Sequence, residues 1–136
     1  MNETTGNALG IYVYLKMDYE TALAQTIEAL KREGFGVLTE IDVKETFKKK
    51  LNVDYLPFKI LGACNPSLAH RALTIAPDVG LLLPCNVTVR AMENGMIQVA
   101  IIDPLMMLGV VQNPDLKPIA DEARARLERV AGSLNK

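Results

Sequence analysis

The sequence predicts an α+β domain: a mainly antiparallel sheet with helices packed on one of its faces. Three observations carry this. Apolar stretches alternate between a period of two and a period near 3.6 along the chain. A Glu93-Asn94-Gly95 turn separates two apolar runs and reads as a tight hairpin, which a doubly wound parallel sheet would not contain. The resulting order is β-α-β-α-β-α-β-β-α, and no composition shift marks a linker, so residues 1–136 read as one domain.

Residues 9–15 alternate as a half-buried strand does, with Leu9, Ile11, Val13 and Leu15 on one side. Asp18 can cap a first helix whose inward stripe is Tyr19, Ala22, Leu23, Ile27 and Leu30, and Gly34 supplies its stop. Phe35 to Ile41 returns as a strand. Asp42 with Glu45 then forms a capping box for a short helix, with Val43, Phe47 and Leu51 inward and a lysine-rich outer face. A third strand spans Tyr55 to Ala63, where Pro57 implies an edge position or an irregular entry. Asn65-Pro66 starts a third helix that runs to about Ala76. Leu81 to Arg90 and Met96 to Ile102 are the hairpin strands. An irregular stretch follows, and Asp115 opens a last helix with Ile119, Ala123, Leu127 and Val130 inward, ended by Gly132.

Composition excludes several classes of function. Fifteen basic and 16 acidic residues leave a formal net charge of −1, too little field to hold nucleic acid or an anionic membrane. Four tyrosines, three phenylalanines and no tryptophan give a poor stacking platform for single strands or sugars. No signal peptide or apolar run of spanning length is evident. Two cysteines in a chain of this length do not make a disulfide framework, so a reducing cytoplasm is the expected compartment.

Among chemistry-bearing residues, Cys64 stands directly before a helix start, where free amides and the helix dipole favour a thiolate. Burial as a small apolar residue is the competing explanation, and a stronger one for Cys85 inside its apolar run. Cys64 is expected near the surface and Cys85 buried. His70, the single histidine, projects with Arg71 and Thr74 away from the apolar side of its helix. Cys64, Cys85 and His70 are ligand types for zinc or copper, but no CxxC pair or paired-histidine spacing accompanies them, and no metal site is assigned. Glu40 and Asp42 share one face of a strand end and could hold a cation, although a helix cap accounts for Asp42 alone. Lys44, Lys48, Lys49 and Lys50 could meet phosphates or simply be a solvated face. No glycine loop opens a helix as a phosphate cradle would.

The segments GFGVLTEIDVKETFKKKL, LGACNPSLAHRAL and GLLLPCNVTVR together resemble the DUF302 family, small bacterial and archaeal domains without an assigned activity. The resemblance spans nearly the whole chain. It implies a curved antiparallel sheet of the TATA-binding-protein-like type with helices on one side, a fold in which members can present as dimers. It places the family's motif positions on Glu40, Asp42, Cys64, Asn65, Pro66, His70, Pro84, Cys85 and Asn86, without roles. Three functions compete: a binding domain with a small-ligand or metal pocket near Cys64, His70 and Cys85; a thiol-dependent redox or acyl-transfer enzyme using Cys64; and a protein-interaction module. A cofactor is not indicated by any motif. A homodimer is expected, because the apolar run Met106 to Val111 in an irregular stretch would otherwise form an exposed patch.

Overall fold

The computed structural model describes residues 9–134. Five strands, β1 (Gly10–Leu15), β2 (Gly36–Asp42), β3 (Phe58–Cys64), β4 (Cys85–Ala91) and β5 (Ile97–Ile102), form one antiparallel sheet in the order β1-β5-β4-β3-β2. The sheet is curved and open. Five helices accompany it: α1 (Tyr19–Arg32), α2 (Val43–Leu51), α3 (Pro66–Ile75), α4 (Pro104–Gly109) and α5 (Lys117–Leu134).

The register explains why only one face is covered. Val13 pairs with Val99 and Val99 with Val89, while Ile101 pairs with Val87 and Val87 with Leu61, so these apolar side chains share one side of the sheet. All are almost fully buried, together with Leu30 of α1, Leu68 of α3 and Leu127 of α5. On the opposite side Tyr12, Tyr14, Phe58, Ile60 and Thr88 remain partly exposed. None of the described helices is long and apolar enough to cross a membrane.

The caps behave as their residue types dictate. The Asp18 carboxylate accepts from the Thr21 amide at 3.0 Å and hydroxyl at 2.7 Å, which holds it below the usual carboxylate range. Asp42 accepts from the Glu45 amide at 2.9 Å and Asn65 from the Leu68 amide at 3.1 Å. Gly34, at φ 87°, follows the C-cap of α1, and Gly95, also at φ 87°, closes the β4–β5 turn.

Several expectations need correction. Leu81 is not in a strand: Pro77–Leu82 forms a 3₁₀ turn, and β4 begins only at Cys85, after Pro84, which has no amide to offer a ladder. Pro57 does not mark an edge, because β3 lies between β2 and β4; it precedes the strand, and its carbonyl accepts from the Ala91 amide at 2.9 Å. The stripe Val43, Phe47 and Leu51 does not face the core, since α2 buries no residue and Leu51 is 63% exposed. Phe47 instead packs edge-on against Tyr55. The stretch after Ile102 is not irregular: Asp103 caps α4, accepting from the Leu105 amide at 2.9 Å, and Met107 and Leu108 are buried. The run Met106 to Val111 is therefore no continuous exposed patch, and the basis it offered for a dimer is lost. Asn113, not Asp115, caps the approach to the last helix, with a 3₁₀ turn at Pro114–Leu116, and α5 continues through Gly132 to Leu134.

Candidate functional site

Strand pairing brings the two thiols to one end of the sheet. Ala63 lies directly opposite Cys85, so Cys64 is one residue along the neighbouring strand from Cys85's partner; opposed Cα atoms in such a ladder are about 4.5–5.5 Å apart. Strict alternation would turn Cys64 away from the side that Ala63 and Cys85 share. The chain leaves the ladder at Asn65, however, and Cys64 lines the same partly open cavity as Cys85. That cavity holds about 40 Å³ and is apolar, walled by Phe35, Leu68, Val79, Met107 and Ile119 among others.

Both thiols are free and differ in exposure: Cys85 is 8% exposed and Cys64 is intermediate, the order expected from their positions in the sequence. Burial pushes the Cys85 thiol up from an ordinary 9.0 to about 11, with a smaller contribution from Cys64 beside it. Asn65 borders the cavity as the nearly buried cap of α3. Its side-chain amide lies against Gly34, where an added Cβ would sit 2.8 Å from Nδ2. Arg126 reinforces this corner by donating from Nη1 to the Glu33 carbonyl at 3.1 Å.

The other residues singled out from the sequence lie elsewhere. His70 is exposed on α3 and does not line the cavity. Asn86 pairs with Gly62, so it projects from the face of β4 opposite to Cys85, and it is exposed. Glu40 pairs with Lys59 at 2.8 Å, and Asp42 caps α2. Since Glu40 pairs with Leu61 and Asp42 with Lys59, the two carboxylates stand roughly 10 and 17 Å along the strands from Cys64 at the usual rise per residue. Only Cys64, Asn65 and Cys85 are gathered into one place. Among the described residues, no group of three or more His, Cys, Asp or Glu side chains is arranged to hold a metal ion.

A second polar cluster escaped the sequence. The Tyr19 hydroxyl donates to the Val89 carbonyl at 2.7 Å, and its pKa is pushed up to about 12, by burial first and then by Asp42 and Glu20. Lys59 stands nearby on the core side of β3, held charged chiefly by its hydrogen bond to Glu40. A lysine inside the otherwise apolar strand FKILGAC was the available signal, because a charge there needs a partner.

A family profile described as a domain of unknown function, DUF302, matches residues 11–134. The chain belongs to the DUF302 family. The crystal structure of an uncharacterized conserved DUF302 protein from Bacillus stearothermophilus is similar, with 34% sequence identity over 93% of this chain and 96% of that one, at a TM-score of 0.81. No curated protein matches the chain. The matched range includes Cys64, Asn65 and Cys85, which line one cavity, as well as Glu40, Asp42, His70 and Asn86, which do not.

Proposed function

We propose that this DUF302 domain works through its thiol pair, as a thiol–disulfide exchange domain acting on a disulfide-bearing protein or small molecule. The observation that carries the reading is the convergence of Cys64 and Cys85, from adjacent strands, on one apolar cavity. Their unequal exposure orders the steps. The more exposed Cys64, once deprotonated, attacks one sulfur of the partner disulfide; that bond breaks, and the departing sulfur leaves as a thiolate that takes up a proton. Cys85, held as a thiol until then, loses its proton and attacks the Cys64 sulfur of the mixed disulfide. The second partner sulfur leaves as a thiol. In sum the partner disulfide is reduced to two thiols, and Cys64 and Cys85 are oxidised to one disulfide.

Glutathione disulfide is a direct probe. The wild type is expected to end as an intramolecular disulfide, its mass lower by two hydrogens, and Cys85→Ser to accumulate the glutathione adduct on Cys64. An adduct that persists on wild-type Cys64 without passing to Cys85, or no reaction at either thiol, would overturn the proposal. A small-ligand pocket is the second reading, supported by the same apolar cavity. At about 40 Å³ it is far smaller than the ~150 Å³ apolar cavity that accepts benzene, so a ligand would have to displace its walls. Xenon or benzene that leaves the melting temperature unchanged would argue against this reading.

A further inference from the structure

We infer that the cleft around Arg90, on the open face of the sheet, binds a free α-amino acid with an apolar side chain. The place is independent of the thiols. Arg90 follows Cys85 along β4 but projects from the other face, since Val87 and Val89 are buried in the core. A row of side chains crosses the sheet there, because Tyr14 pairs with Gln98, Gln98 with Arg90 and Arg90 with Phe58. Gln98 donates from Nε2 to the Tyr14 hydroxyl at 3.2 Å and accepts from Arg90 Nε at 2.9 Å. Arg71, Arg124, Arg126 and Arg129 each pair with a carboxylate, but among the described residues the half-buried Arg90 does not. A guanidinium so placed has given up part of its hydration for one neutral acceptor, and a bidentate carboxylate restores what was lost.

The cleft holds about 370 Å³, the size of a small-molecule site, and is lined by Tyr55, Leu56, Phe58, Arg90, Ala91 and Glu93. Its apolar wall is held from behind. The Tyr55 ring packs edge-on against Phe47 at 5.0 Å and tilted against Phe58 at 6.2 Å, and the Ala91 amide donates to the Pro57 carbonyl at 2.9 Å. Charge then selects the occupant. Glu93 lines the same cleft from the β4–β5 turn, yet the ion pairs among the described residues include none between Glu93 and Arg90. Two opposite charges that share a cleft without neutralising each other match a ligand that carries both, whereas a plain anion would meet Glu93 as well as Arg90. An α-amino acid presents its carboxylate to Arg90 and its ammonium to Glu93, and its side chain lies on Tyr55, Leu56 and Phe58.

Calorimetric titration of the intact chain with L-phenylalanine, N-acetyl-L-phenylalanine and L-phenylalaninamide tests this. The wild type is expected to bind L-phenylalanine with a Kd of about 0.1 to 1 mM, as suits a small ligand on a half-open surface. Each blocked analogue should bind about tenfold more weakly, because it loses one charge-assisted contact. Arg90→Gln should weaken L-phenylalanine by about tenfold or more, with unchanged far-UV circular dichroism. Glu93→Gln, at an exposed turn residue, should erase the preference for L-phenylalanine over its N-acetyl form, which a merely structural role for the cleft would not do. No saturable binding of L-phenylalanine up to about 10 mM, equal affinities for the three probes, or wild-type affinity in Arg90→Gln would overturn the assignment.

Discussion

Cys85 is a weak acid because nothing around it can solvate a thiolate, and this ties stability to pH. Its folded value, about 11, lies above the ordinary 9.0, so the folded chain keeps its proton where the unfolded chain has released it. The corresponding stability is fully present below pH 9 and is lost as pH rises toward 11, on the order of 2 to 3 kcal/mol in all. Urea unfolding at a series of pH values should show this slope in the wild type and a flatter profile in Cys85→Ala; equal slopes would refute the account. Tyr19 shifts in the same direction, from 10.0 to about 12, so its loss of stability comes at still higher pH and is separated by Tyr19→Phe. Asn65→Ala removes the amide acceptor that starts α3 and is expected to cost about 1 kcal/mol in chemical denaturation. The Cys64-Asn65-Pro66 corner was legible in the sequence because cap chemistry is local. The outward turn of His70 was legible from helical spacing, whereas that of Asn86 was not, since it depends on which face of a strand turns inward at its end.

At the scale of elements, two glycines fit places where no side chain can. Gly34 combines φ 87° with the Asn65 amide where its Cβ would project, so Gly34→Ala should cost about 1 to 2 kcal/mol from the backbone conformation alone. It should also raise the alkylation rate of Cys64 by loosening the cap beside it, a change read by timed labelling and mass spectrometry. Gly62, in the middle of β3, has Thr39 and the Pro84 ring packed over it, and Gly62→Ala is expected to lower stability by about 1 to 3 kcal/mol in thermal unfolding. Long elements with strong periodicity, such as α1 and α5, could be read from the sequence together with their inward residues. α4 could not, although Asp103-Pro104 repeats the signal of Asn65-Pro66, because six residues are too few for an apolar stripe to declare its period. α2 misled for another reason: its stripe is real, but amphipathicity records only that a face seeks cover and not where the cover lies.

For the molecule as a whole, the antiparallel character of the sheet was legible from one hairpin, whereas the strand order was not. Nothing local in residues 9–15 says that they belong beside residues 97–102, since hydrophobic alternation is satisfied against any apolar neighbour. The core that joins these strands to the helices is continuous, and Leu127, fully buried on α5, should cost 2 to 5 kcal/mol when cut to alanine, with a lower melting temperature as the readout. The place of β1 in the sheet also has a consequence for biosynthesis. Gly10 pairs with Ile102, so the first strand leaves the ribosome long before its partner exists and must wait, unpaired, while β2, β3 and β4 are made. The other three pairings each join strands that follow one another in the chain, and so can form as synthesis proceeds. Among the described strands β1 is thus translated first and seated late, and a nascent chain arrested before β5 leaves this apolar segment open to chaperones.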